Sequence, residues 1–174
     1  MRTLTTDRLS LHPFAEPEVD AFLSLCRLDR VHQYLWDGNP LVDLQARSLL
    51  AESDRTFDDH GFGLWSVFDL EKTYIGFTGL RIIAESRRIE LLFGVTPDVW
   101  GKGFATEAVL AIVDHAFDIL GLPSLEASSH PSNIRSLRLL ERIGMASVRS
   151  EQTAVGPLHV FSIKRSSHRR SPRQ

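Results

Sequence analysis

One stretch limits the fold more than any other: Glu90-Leu91-Leu92-Phe93-Gly94-Val95, then Thr96-Pro97-Asp98-Val99-Trp100, then Gly101-Lys102-Gly103-Phe104-Ala105-Thr106. The first part is apolar but for one carboxylate and reads as a buried strand. From Ala105 the apolar residues Ala108, Val109, Ile112, Val113, Ala116, Phe117 and Leu120 recur at helical spacing, and Gly121 and Pro123 end the run. A strand is therefore expected to run through a glycine turn into a helix. Such a helix starts with unpaired N–H groups at the positive end of its dipole. That opening suits a phosphate or a diphosphate.

Three phosphate loops compete. A Walker A loop is excluded, because six residues separate Gly94 from Gly101 and Gly103 follows Lys102. A dinucleotide loop lacks its third glycine, since Thr106 stands there, and the preceding segments read as a meander rather than a βαβ opening. The third reading is a loop for the diphosphate of coenzyme A.

The rest of the chain is consistent with a single α/β domain over residues 1–165 and a basic, disordered tail over 166–174. The expected order is a strand at 8–14, helices at 17–28 and 41–57, and strands at 61–68, 73–83 and 88–95. After the long helix come a strand at 125–129, a helix at 132–143, and two strands at 145–152 and 158–164 that turn through Gly156-Pro157. This predicts a mixed, mostly antiparallel sheet of six to seven strands with about four helices. The net charge of -2 disfavours a dedicated nucleic-acid binder. The single cysteine, Cys26, permits neither an internal disulfide nor a Cys-based metal cluster, and no metal is expected. No stretch resembles a signal peptide or a membrane span, so the expected compartment is the cytosol. Monomer and homodimer both stay open.

Val99-Trp100-Gly101-Lys102-Gly103-Phe104-Ala105-Thr106-Glu107-Ala108 resembles the acetyl-CoA motif of the GCN5-related N-acetyltransferases, Gln/Arg-x-x-Gly-x-Gly/Ala. Trp100 takes the first place, Gly103 the fourth and Ala105 the sixth. Trp for Gln/Arg is a departure shared with the branch resembling ribosomal-protein N-terminal acetyltransferases. A second signature, Asn-x-x-Ser/Ala, is matched by Asn133 and Ser136, followed by Gly144-Met145 where an aromatic is usual. The resemblance spans about residues 5 to 165.

The resemblance implies an acetyltransferase that uses acetyl-CoA to acylate a primary amine, on a small molecule or a protein N-terminus. A CoA-binding module of the same fold without catalysis is the alternative. The strand at Phe93, Gly94 and Val95 is implied to splay from its neighbour and pair with the pantetheine arm. The N–H groups from Trp100 to Thr106 would hold the diphosphate. Asn133 would bond the pantetheine amides, and Ser136 would lie near the thiol. Lys102 is read either as a phosphate contact or as a solvated lysine.

Glu90 is the candidate base, because burial raises a carboxyl pKa; an ion pair with Arg81, Arg87 or Arg88 is its structural alternative. The position where many members place a general-acid Tyr is Leu140, so Ser136 is the substitute, unless its hydroxyl only bonds its own helix or touches pantetheine. Tyr34 and Trp36, with Trp65, are the candidate walls of the acceptor pocket, core packing being the other fate of such rings.

Overall fold

The computed structural model describes residues 3–35, 38–84, 86–153 and 156–168. One eight-stranded sheet organises them. β1 (Leu4–Thr5) and β2 (Leu9–Pro13) lead to α1 (Val19–Cys26), α2 (Asp29–His32) and α3 (Asp43–His60). A meander follows: β3 (Leu64–Asp69), β4 (Tyr74–Ile82) and β5 (Ile89–Val95). Next come α4 (Phe104–Asp114), β6 (Ser124–Ser129), α5 (Ile134–Arg142), β7 (Ala146–Thr153) and β8 (Gly156–Lys164). The strand order is β1-β2-β3-β4-β5-β6-β8-β7. All neighbours are antiparallel except β5 and β6.

Strand alternation divides the core into two layers. Leu91 and Phe93 join α4 and α5 residues such as Val109, Ile112 and Leu140. Leu92 joins the other layer, built from α1 and α3 through Phe22, Leu25, Ala46 and Leu50. Cys26 is fully buried in this layer. The long helical stripe continues past α4 as a π turn, His115–Ile119.

Three local expectations change. Gly156 and Pro157, read as a turn, are the first residues of β8 and pair with Thr153 and Gln152. The four-residue α2 was not foreseen, because Val31 is its only buried residue and gives no periodicity. Of the expected tail, residues 166 and 167 belong to a 3-10 turn, Arg165–Ser167. His168 reaches Asp114 at 2.6 Å. Residues 169–174 lie outside the described residues. No described helix is long and apolar enough to cross a membrane.

Candidate active site

β5 is bound unequally on its two edges. Its register with β4 is continuous from Ile89↔Ile82 to Val95↔Gly76, but it meets β6 at the single pair Glu90↔Glu126. The two parallel strands then part. The split opens a cleft of about 390 Å³ whose walls include Leu91 to Val95 of β5, Ser128 and Ser129 of β6, and Asn133 and Ser136 at the start of α5.

The direction of β5's main-chain groups follows from two bonds. The Leu92 carbonyl accepts from the Thr78 hydroxyl on β4 at 3.0 Å, and the Val95 carbonyl accepts from the Trp100 indole N–H at 3.0 Å. Backbone alternation therefore turns Leu92 and Gly94 toward β4, and Phe93 and Val95 toward the cleft. The Val95 carbonyl is taken by Trp100. The groups of Phe93 and the Val95 N–H lie beyond the paired part of β6.

The turn after β5 ends at Gly103, with φ 82°, and no side chain caps α4. Gly101 has φ 79°, and a Cβ placed there would meet nothing within 4 Å. Both positions use a left-handed backbone that glycine adopts without steric cost. The first helical bond runs from Glu107 N–H to the Gly103 carbonyl at 3.0 Å. The N–H groups of Gly103 to Thr106 ahead of it form an open helix terminus, but two of the set expected from the sequence are taken within the turn, the Trp100 N–H by the Pro97 carbonyl at 3.1 Å and the Lys102 N–H by the Val99 carbonyl at 3.4 Å.

Glu107 anchors this turn from behind, accepting from the Thr6 hydroxyl at 2.6 Å and from Arg8 Nε at 2.6 Å. Burial alone would raise its pKa, but these bonds outweigh burial and hold the carboxyl below its usual range. Gly101, Gly103, Ala105 and Thr106 line the cleft, as does Trp100. The Lys102 and Phe104 side chains do not. The Phe104 ring lies under the Arg8 guanidinium at 4.5 Å, and the Lys102 carbonyl accepts from Arg8 at 3.1 Å.

On the opposite wall, Asn133 caps α5 by accepting from the Ser136 N–H at 3.3 Å. Its carbonyl is thus engaged, which leaves the side-chain NH2 for a ligand. Ser136 is buried in the cleft wall. Tyr34 also lines the cleft, and its hydroxyl donates to the Ser132 carbonyl at 3.4 Å.

Two candidates fall elsewhere, and a third is not described. Trp65 is 0% exposed and packs edge-on against Phe57 and His115. It is a core residue, not an acceptor wall, since β3 is buried on both faces at that point. Glu90 is absent from the cleft lining; it pairs with Arg81 Nε at 2.7 Å, the structural alternative foreseen for it, and a cationic partner is what makes a buried carboxylate tolerable. Trp36 lies outside the described residues. Leu140 is fully buried, so no acid stands at that place.

Sequence reasoning missed four arginines, Arg30, Arg135, Arg138 and Arg142, that line the same cleft. Positions 135, 138 and 142 recur at helical spacing, and that was the available signal. Ser129 was missed too; its buried hydroxyl has no partner among the described residues. Among the described residues no group of three or more His, Cys, Asp or Glu is placed to hold a metal ion.

A parallel strand pair splits beside a glycine-opened, uncapped helix start, an arrangement suited to an anion. Residues 8–146 match the family model of the acetyltransferase (GNAT) domain, and the chain belongs to this family of acetyltransferases. Its members use acetyl-CoA as co-substrate, which fits the open N–H groups and the free edge of β5. The uncharacterized N-acetyltransferase p20 of Bacillus licheniformis is 30% identical over 146 residues, 82% of either chain. The fold is shared with spermidine N-acetyltransferase of Vibrio cholerae, solved with CoA and spermine, at TM-score 0.78 and 20% identity over 93% of this chain and 98% of that one. It is also shared with a structure provisionally assigned as a ribosomal-protein-serine acetyltransferase of Vibrio cholerae, at TM-score 0.72 and 19% identity over 93% and 97% of the chains.

Proposed function

We propose that the chain transfers the acetyl group of acetyl-CoA to a primary amine by direct attack within a ternary complex. The observation that carries this reading is the split between β5 and β6, which begins after Glu90↔Glu126 and runs beside the uncapped start of α4. The N–H groups from Gly103 to Thr106 hold the diphosphate. The free edge of β5 at Phe93 and Val95 pairs with the pantetheine arm, and the Asn133 NH2 bonds one of its amides. An N–H of this edge polarises the thioester carbonyl as negative charge develops on its oxygen. The amine nitrogen bonds to the carbonyl carbon and loses a proton; the C–S bond breaks and the thiolate accepts a proton. Ser136, already in the cleft wall, is the donor we assign to that last step. No carboxylate of the chain is assigned as base; an α-amine with a pKa near 8 is partly neutral at physiological pH.

The test is thiol release from acetyl-CoA over a panel of primary amines, with thermal shifts for CoA, NAD and ATP alongside. The expected result is stabilisation by CoA and amine-dependent thiol release. Stabilisation by NAD or ATP alone would remove the reading. The buried Leu140 favours one second reading, a CoA-binding module without turnover; CoA binding with no thiol release on any amine would establish it.

A further inference from the structure

Among the described residues, four buried side-chain atoms find no hydrogen-bond partner: the hydroxyls of Ser66, Tyr74 and Ser129, and Arg88 Nε. Of these residues only Ser129 lines the cleft. It is 5% exposed. A buried hydroxyl left unsatisfied destabilises the fold around it, and alanine would fill the same place without that cost. A serine kept there points to a partner that arrives with a ligand.

Its place in the sheet says which ligand group that is. β5 and β6 make their pair at Glu90↔Glu126, and Phe93 and Ser129 stand equally far beyond it on the two sides of the split. Strand alternation puts Ser129 on the face of Leu125 and Ala127, which pack into the layer of α4 and α5. On that same face α4 begins with its open N–H groups, and α5 brings Asn133 and Ser136 to the cleft. An arm that runs from the α4 start to the free edge of β5 at Phe93 therefore enters the split past Ser129. The diphosphate itself is not the partner. Its donors lie at the α4 start, beyond the end of β5, whereas Ser129 stands level with Phe93, within that strand. A serine hydroxyl turns about χ1 among three staggered positions, and no bond within the described residues holds this one.

We infer that Ser129 is a binding residue for the arm of the co-substrate: its hydroxyl hydrogen-bonds an amide of pantetheine across the split from Phe93. This rests on the acetyltransferase reading above and deepens it. It also separates two serines of one cleft, Ser136 as the proton donor to the thiolate and Ser129 as a holder of the arm with no part in proton transfer.

The experiment measures, by calorimetry, the affinity of the parent and of Ser129→Ala for two probes. One is CoA. The other is ADP phosphorylated on its ribose as in CoA, which keeps every phosphate and lacks the arm. The expected result is CoA bound about 5-fold more weakly by the variant, the share of one hydrogen bond, with affinity for the nucleotide unchanged. The KM for acetyl-CoA rises alongside while kcat holds. The free variant melts no lower than the parent, because its hydroxyl has no partner to lose. Unchanged CoA affinity overturns the inference and leaves the acetyltransferase reading standing. So does equal weakening of both probes, which marks a change in the cleft as a whole. A fall in kcat alone does the same, since it makes Ser129 a second proton donor, and so does a free variant that melts lower, since the hydroxyl then has its partner inside the protein. A parent that does not bind CoA overturns both.

Discussion

Two helix starts face the same cleft and are finished in opposite ways. α5 begins with Asn133, whose side chain accepts from the Ser136 N–H and satisfies one donor from within the protein. α4 begins with Gly103 at positive φ and receives no side-chain cap. Its open donors and its dipole are steadied from behind by Glu107, bound to Thr6 and Arg8. The capped start needs no ligand. The uncapped start is the one proposed to receive an anion. Residue choice at one position, Asn or Gly, separates a terminus capped from within the protein from an open one.

Placing a charge at the open terminus is the sharpest way to break this contrast. Gly101→Asp sets a fixed carboxylate on the turn where the diphosphate is proposed to bind, at a left-handed position that Asp tolerates better than most residues and where a Cβ meets nothing within 4 Å. Affinity for CoA, read by calorimetry, is expected to fall by at least about 100-fold, because like charges are brought together in a confined site. Gly101→Asn, equal in shape but neutral, should lose far less. If both variants bind CoA as the parent does, the anion is not held at α4.

The next effect belongs to the capped helix. Ser136→Ala keeps the N–H that Asn133 caps and removes only the hydroxyl. It is expected to lower kcat about 10-fold, below the usual range of about 10²–10⁴ for general acid catalysis, because a thiolate of pKa about 8.5 leaves with little help. An unchanged kcat would dismiss Ser136 as proton donor. Smaller again, Asn133→Ala removes the cap itself and should cost about 1 kcal/mol. For a domain of this size that is a melting temperature lower by about 2–4 °C. A loss of CoA affinity without any change in melting would mean that Asn133 serves the ligand alone.

Most of the fold was legible because its signals are local. The stripe from Ala105 to Leu120 gives α4, and Gly101 and Gly103 mark an opening that only a permissive backbone can make. What sequence could not reveal depends on which face a side chain takes. Leu64 to Val67 are buried on both faces of β3, so alternation gave no hint that Trp65 points into the core. The α2 helix is too short for a period to register. The arginines of α5 look like ordinary solvated residues in sequence. They become a site only when β6 leads α5 to the mouth of the split. Glu90 was rightly singled out as buried, but its meaning came from Arg81, which the β4–β5 register places opposite it.

The smallest expected effect tests the support behind α4 and is read through pH. The Glu107 carboxyl is held below its usual range in the folded protein. So is Glu126 at the base of the split, chiefly through its bonds from Arg149 at 2.7 and 3.0 Å. When a folded carboxylate has the lower pKa, the unfolded chain takes up its proton first as pH falls. The stability it contributes is therefore complete above the ordinary carboxylate pKa and is lost as pH drops through the depressed value. His115 adds to the same slope from a higher pH. Burial lowers its pKa, so below about pH 6.5 the unfolded chain gains a proton that the folded one resists. Melting temperature should thus begin to decline below about pH 6.5 and fall more steeply below about pH 5. Glu107→Gln keeps a hydrogen-bonding side chain and removes the charge. It should cost under about 1 kcal/mol at pH 7, since the Arg8 partner is largely exposed, and should flatten only the steeper limb. If the variant's curve runs parallel to that of the parent down to pH 3, the Glu107 charge does not steady α4, and the open terminus stands without it.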